Sequence, residues 1–507
     1  MIRPSAALIR SAIFLHRWMG VTLSLIFTMW FLSGIVMMYW GFPDISERER
    51  LEHLPVLNPD TVKVAPLEAF QALGNKEPPS RVTLSSFDGR PVYRFHYGRD
   101  EAMIYADDGS EQIEVPHDMV RRIALTWANA ATHGGDPYGS NPREEEITGP
   151  DQWTVQASLD DLRPLWKYSF PDGFEVYVSS VTGEVVQAST TSARIWAYLG
   201  PIPHWLYFTP LRIHGQQWSN LVIWLSGIGT VTSLLGILVG IWMYSPRKTY
   251  FNAGQASSIP YTGQKRWHTV FGLFFGLMVC TWAFSGMLSM DPFPMNAPSN
   301  ADNATGLARV SNALREDRAE IAIFSGKHPR EALRSAGNYG VKELELTTIA
   351  GEPMYVAAST DRDGLFIPVN GSPFREFDAQ RIAETMRRAA SPAQLDIREL
   401  TEYDAYYLDR HREKPLPVLL VTEKGSDAAR YYVDPKTARI VGSYNSGQWM
   451  SRWLYHGLHS WNFPWLYNNR PLWDIVVIAL MLGGSSLCVT SIILAWHVLQ
   501  RKVVGRA

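Results

Sequence analysis

Four apolar runs interrupt a chain that is otherwise mixed in character. They extend from Trp18 to Trp40, from about Asn220 to Tyr244, from Trp267 to Met290 and from Leu472 to His497. A bilayer core of about 30 Å needs roughly 20 apolar residues in helix, and each run is long enough. Within them Asp474, at the rim of the fourth, is the lone Asp, Glu, Lys or Arg. The first run is too long for a signal peptide and lacks an A-x-A-like exit. Between the runs the pattern changes to period-two alternation rich in β-branched and aromatic residues, which predicts strands. PVYRFHY followed by AMIYADDGSEQIEV reads as a hairpin with DDG at a turn, and GEPMYVAAS followed by GLFIPVNG reads likewise. FDAQRIAETMRRA and DTVKVAPLEAFQAL have helical periods, whereas REEEI (143–147) reads as a solvated acidic loop.

Charge orients the predicted spans. Arg3, Arg10 and Arg17 precede the first. Arg247, Lys248, Lys265 and Arg266 lie in the short link between the second and third, and Arg501, Lys502 and Arg506 follow the fourth. Positive-inside bias puts all three stretches, and with them both termini, on the cytoplasmic side of a bacterial inner membrane. Tryptophans and tyrosines such as Trp18, Trp40, Trp218, Trp242, Tyr244, Trp267 and Trp473 mark the interfaces. The organisation expected is: 1–40, N-terminus and first helix; 41–218, a periplasmic α+β domain; 219–244, second helix; 245–266, cytoplasmic loop; 267–290, third helix; 291–470, a second periplasmic α+β domain; 471–507, fourth helix and C-terminus. A mean hydropathy of −0.11 averages the apolar helices with two large polar segments, and a net charge of −2 gives no reason to expect a nucleic-acid partner.

The chain repeats a plan of helix, outer segment, helix. YVSSVTGEVV (177–186) is echoed by YVDPKTARIV (432–441), and W-x-x-S-G closes both TMWFLSG and VCTWAFSG. The fold class expected is a multi-pass α-helical membrane protein of four transmembrane helices in two parallel repeats, with two large α+β periplasmic domains. Small residues in W-x-x-S-G suit close helix contact.

Of 13 histidines, seven lie in or beside the apolar runs. His16, His268 and His497 fall at the inner level, and His204, His214, His456 and His459 at the outer level. Histidines at both ends of a bundle suit bis-histidine haem, which needs two imidazoles facing each other at one depth. His16 with His268 forms the expected inner pair and His214 with His459 the expected outer pair. His497, His204 and His456 are alternates. Arg17, Arg212, Arg266 and Arg452 stand beside these histidines as partners for haem propionates, or as snorkelling anchors. No C-x-x-C-H occurs, so the haem expected is the non-covalent b type, two per chain. No H-E-x-x-H supports a zinc peptidase, and Cys280 and Cys488 read as apolar packing residues.

HRWMG, WFLSG, IPHWLYFTPLRIHG, RWH-x-x-x-G, WAFSG and LYHGLHSWNFPWLYNNRPLWD together resemble the PepSY-associated transmembrane family, across all four spans and their flanks. The hairpins at 177–186 and 432–441 resemble its small PepSY modules. This chain departs from common members in carrying large outer segments in both halves. The resemblance implies a haem b protein that reduces a ferric siderophore or other iron chelate on the periplasmic side. No dinucleotide fingerprint is present, so the electron donor implied is membrane quinol or a separate reductase. The sequence leaves a homodimer open. The competing reading is a non-enzymatic PepSY-type membrane scaffold or peptidase regulator.

Overall fold

The computed structural model describes residues 5–74, 77–98, 100–131, 141–252, 254–293, 310–316, 320–360, 364–390, 394–409, 412–424 and 429–504. Arg3 and Arg506 of the orienting charges lie outside them. Among the described residues four helices are long and apolar enough to cross a membrane. They are Ala6–Met37, Gly215–Met243, Gly263–Leu288 and Leu472–Val504, called the first to fourth helices below.

Each packs on two neighbours in the cyclic order first, second, third, fourth, which puts the first and third on opposite sides of the bundle. The polarity of this bundle is reversed relative to a water-soluble one. Phe274 is 80% exposed and Leu25 67%, while Ser24, Ser33, Ser226, Thr232, Ser285 and Thr490 are buried. In lipid the apolar exterior costs nothing, and small hydroxyl residues let helices approach while satisfying their own backbones.

The helices outrun their apolar cores. No Pro or Gly stands between Ala6 and Trp18 to break the first, so His16 lies inside it rather than opening it. His268 likewise falls in the second turn of the third helix, and His497 lies inside the fourth.

At one end of the bundle stand the sheets; at the other is the short link, which forms the hairpin Tyr250–Asn252 and Gln255–Ser257. The outer segments are α+β as expected, but they are not two separate domains. A seven-stranded antiparallel sheet runs in the order Leu365–Pro368, Glu352–Ala358, Glu343–Ile349, Arg81–Phe87, Arg90–Tyr97, Asp100–Tyr105, Glu111–Gln112. Its central junction joins the two segments: Val82 faces Leu346, Thr83 faces Glu345 and Leu84 faces Leu344. Leu84, Leu344 and Leu346 are buried there, so the shared sheet completes a core that neither segment closes alone.

Each segment adds a four-stranded antiparallel sheet, Arg143–Ser189 in the first and Gln394–Tyr444 in the second. The helix His117–Ala131 wedges between the first of these and the central sheet, with Ala124 on one side and Met119 on the other. The helix Ala379–Ala390 does the same in the second segment through Ile382 and Met386. The expected hairpins are present. Within each PepSY-like hairpin the register shifts at matching points, between Tyr177 and Val178 and between Tyr432 and Val433. REEEI is not a loop. It is the edge strand Arg143–Ile147, paired with Leu165–Ser169, and its charges blunt an exposed edge.

Candidate functional site

The imidazoles of His16 and His268 meet across the bundle with ring centroids 6.0 Å apart. Near the sheet-bearing end His204 and His459 approach with ring centroids 6.1 Å apart and ring planes at 69°. His214 does not join them. It is exposed at the start of the second helix, so the expected pairing of His214 with His459 is replaced by His204 with His459. His456 is exposed beside the Tyr455 ring, and His497 is exposed at the margin of the inner cavity.

The outer pair is placed by two short segments built alike. Pro201 starts the helix Pro201–Trp205, which lies so close to the first helix that a Cβ on Gly200 would come 2.9 Å from Val36. Leu206 then turns the chain at φ +53°, two residues after His204. In the second half a π-helical turn, Ser451–Gly457, leads into Leu458–Ser460, and Trp461 turns the chain at φ +52°, two residues after His459. Left-handed backbone at bulky residues is costly and persists where surrounding contacts fix it.

Hydrogen bonds to carbonyls fix the tautomer of His16 and His204, and the hydroxyl partners of His268 and His459 suit the same one. His16 Nδ1 lies 2.9 Å from the Thr232 carbonyl, which can only accept, so Nδ1 carries the proton. The Thr490 and Ser491 hydroxyls both donate to the Leu487 carbonyl and therefore accept from His268 Nδ1, at 3.2 and 3.3 Å. At the outer pair, Ser33 donates to the Trp30 carbonyl and accepts from His204 Nδ1 at 3.2 Å. Ser285 donates to the Trp282 carbonyl and accepts from His459 Nδ1 at 3.0 Å. Ser33 and Ser285 are the serines of the two W-x-x-S-G motifs. In sequence that motif reads as helix packing, and the signal for its second use is its recurrence in both halves alongside the two histidine segments. Apolar surroundings push His204 down to about 4 and His459 to about 3, so both are neutral at pH 7. Every Nε2 thus presents a lone pair, the form that binds a metal.

Around the inner pair is a cavity of about 380 Å³. Gly20 and Gly272, each four residues after a histidine, line it together with Gly236, Gly240 and Gly276. A Cβ on Gly20 would meet nothing within 4 Å. Gly236, Gly240 and Gly276 are instead filled by the His16 ring, Leu273 and Ile237, so the open space beside the imidazoles lies at Gly20 and Gly272. Arg17 and Lys265 line the same cavity. Arg266 does not; it donates to Ser257 Oγ at 3.0 Å.

Of the outer arginines Arg452 is held by hydrogen bonds, whereas Arg212 is held by rings alone and its buried Nε has no hydrogen-bond partner among the described residues. Arg212 lies over the Tyr207 and Trp218 rings, 5.0 and 4.8 Å from their centroids. Arg452 is buried, donates to the Ala405 carbonyl, and reaches Asn462 Oδ1 at 3.1 Å and its carbonyl at 2.9 Å. It therefore ties the sheet region to the His459 segment. In the first half Gln152 makes the corresponding tie, donating to the Tyr207 carbonyl at 2.6 Å. Each tie follows an aspartate held by the hairpin tyrosine: Tyr177 donates to Asp151 and Tyr432 to Asp404. Arg452→Ala leaves the half-buried Asn462 and Ala405 acceptors without this donor, at about 1 kcal/mol for each bond lost. A lowered thermal midpoint is expected, together with disturbance at His459 and none at His16, read by denaturation and by the spectrum of any bound chromophore.

Among the described residues no group of three or more His, Cys, Asp or Glu side chains gathers to hold a metal ion. The histidines come in twos. Cys280 and Cys488 are free and buried, as expected.

No curated protein matches the chain. The family model for the PepSY-associated TM region matches residues 13–298 and again 265–506, so that the two matches take in all four helices and every paired histidine. The chain therefore belongs to the PepSY-associated TM region family and is a membrane protein.

Proposed function

We propose that the protein is a transmembrane haem b electron-transfer protein that reduces a ferric chelate, such as a ferric siderophore, on the periplasmic side of a bacterial inner membrane. The observation that carries this reading is the pair of facing imidazoles at each end of the bundle. Two imidazoles sharing one metal in line, each with a bond of about 2 Å and a ring radius of about 1 Å, have centroids roughly 6 Å apart. Both pairs have that spacing. All four Nδ1 atoms are hydrogen-bonded and none of the four Nε2 atoms is, among the described residues. Metal-binding histidines are held in this way, with the distal nitrogen anchored. The cavity of about 380 Å³ at His16 and His268 is open at Gly20, and a flat macrocycle would lie there. Arg17 and Lys265 supply cations for its acidic edge. A scaffold without redox chemistry would have no use for paired imidazoles kept bare at Nε2.

Orientation follows from Arg10, Arg17, Arg247, Lys248, Lys265 and Arg266, which gather at the end away from the sheets and make that end cytoplasmic. The two halves then read as repeats inserted in the same direction. When bound, haem supplies one-electron carriage; the protein holds the rings, fixes their tautomer and excludes water. With haem bound, electrons would enter at the cytoplasmic level, where His16 and His268 would hold it, from quinol or a separate reductase, and would leave where His204 and His459 would hold the second. A one-electron reduction of the acceptor lowers the charge on iron and loosens its hard oxygen ligands.

The test is reconstitution in vesicles with quinol as reductant and a ferric chelate with a ferrous-specific dye on the sheet-bearing side. Dye colour that depends on the protein is expected. Reduced protein that the ferric chelate cannot reoxidise would sink the assignment of acceptor.

Ser33→Ala and Ser285→Ala each remove the hydroxyl that accepts from an outer Nδ1. Loss of such an anchoring partner weakens metal-site affinity by about 10–100-fold. Both variants should keep the inner chromophore, lose the outer one on dilution, and show a shifted potential for whatever remains, read by redox titration.

A further inference from the structure

We infer that Phe31 and Trp282 form an aromatic bridge at the centre of the bundle, through which electrons pass between the two histidine pairs without protons. The inference rests on the electron-transfer reading above.

His16 and Ser33 are 17 residues apart on one helix, about 25 Å at 1.5 Å per residue. Something must fill the gap between the pairs. Phe27 and Val279 close the inner cavity on the side facing the sheets. One turn further, Phe31 of the first helix meets Trp282 of the third, with ring centroids 5.6 Å apart. These helices are on opposite sides of the bundle, so the contact crosses its centre. Trp282 in turn offers its carbonyl to Ser285, which holds His459. A covalent and packed route thus runs from the cavity of His16 and His268 to the outer pair.

The residues around the bridge differ between the halves in a way that suits a central position. Aligning the W-x-x-S-G motifs places Phe31 opposite Ala283 and Phe27 opposite Val279, and all four are buried in one core. Two large side chains at the centre would collide, so the first helix supplies the bulk and the third yields it. The neighbouring helices make room as well. An added Cβ would approach Phe27 to 2.4 Å at Gly229 and Phe31 to 2.8 Å at Gly484, so both phenyl rings lie directly on helix backbone. The Trp282 indole N–H has no hydrogen-bond partner among the described residues although it is buried. A buried donor left unpaired is costly, which argues that the indole is placed there for its ring rather than for its polar edge.

With haem held at both pairs, one electron would pass from the reduced group at His16 and His268 to the oxidised group at His204 and His459, so that oxidation of the first balances reduction of the second. Phe27, Phe31, Met278, Trp282 and Ala283 carry no acid or base, so the bridge itself offers no proton relay. Packed atoms couple two redox sites better than a void does, and Phe31→Ala would leave a void.

The experiment compares native protein, Phe31→Ala, Phe31→Leu and the exchanged double variant Phe31→Ala/Ala283→Phe, in which the ring comes from the opposite helix. Flash reduction of the haem-loaded proteins reads transfer between sites. Phe31→Ala should slow it by at least an order of magnitude with both haem spectra retained, and the double variant should recover it. An unchanged rate in Phe31→Ala would overturn the bridge. If Phe31→Ala does not keep both haems, Phe31→Leu is read in its place, with smaller slowing expected and an unchanged rate again overturning the claim. A second readout needs no haem: vesicles bearing Phe31→Ala should leak protons where native and double-variant vesicles hold a pH gradient. Equal tightness of all three would overturn the proton barrier. Native protein that takes up no haem would instead defeat the electron-transfer reading, while the vesicle result still stands.

Discussion

If the paired imidazoles hold haem as proposed, His204→Ala is expected to remove the low-spin signal of the outer site, while His214→Ala leaves both signals intact. The contrast is sharp because the two histidines are only ten positions apart on the same polar flank. His204 lies 6.1 Å from His459, and its Nδ1 is bound by the Ser33 hydroxyl and the Trp30 carbonyl at 3.2 and 3.1 Å. His214 is exposed, and its ring has neither partner. Removing an axial ligand should cost more than the roughly 10–100-fold in affinity that a lost anchoring partner costs. A haem held there would therefore be expected to dissociate or lose its low-spin spectrum. Difference spectra of the two variants check this, with half the native haem per chain expected for His204→Ala. Loss of signal in His214→Ala alone would show that the pairing in the structure is not the functional one.

Gly236→Ala should abolish the inner site. The added Cβ would come 2.6 Å from Cε1 of His16, closer than real carbon contacts allow, and 3.1 Å from Nδ1. The ring must move, and with it goes the 2.9 Å bond to Thr232 and the alignment with His268. Overpacking of this kind costs about 1–3 kcal/mol in stability, but the larger effect is on ligation, which tolerates little displacement. Gly20→Leu is the informative companion. Its side chain enters open space, so the apoprotein should be as stable as the native one, yet it occupies the open space beside the imidazoles. Both variants should keep the outer haem and lose the inner one. Thermal melts of the haem-free proteins separate them, with a lowered midpoint for Gly236→Ala only. Full haem loading of Gly20→Leu would mean that the glycine-lined space is not where the macrocycle lies.

The approach of His16 to His268 was legible because both sit at the same place in matching phrases, HRWMG and RWHTVFG, and equivalent positions on opposite helices meet at the centre. The outer pair was harder. His214 runs directly into the second helix, and that adjacency suggested a ligand. What decides the matter is the tight approach of Gly200 to Val36 and the turn at Leu206, which swing His204 back onto the first helix. Neither contact leaves a local pattern in sequence. The same holds for the central sheet. Arg81–Phe87 and Glu343–Ile349 each read as a strand, but which strand pairs with which depends on the folded whole. The acidic residues of Arg143–Ile147 concealed an edge strand, because charge there protects the edge rather than marking a loop. Ser33 and Ser285 were visible as a repeated motif, while their use as anchors for imidazoles showed only once the histidine segments were in place.

The central claim is that two bis-histidine haems lie in one chain, and the most direct measurement is the absorption spectrum of protein purified from haem-replete cells, oxidised and then reduced with dithionite. The account expects a Soret band that shifts on reduction, split α and β bands of low-spin haem b, and a haem content of about two per chain, one for each facing histidine pair. Colourless protein, or a single haem that survives loss of both His16 and His268 and of both His204 and His459, would contradict it.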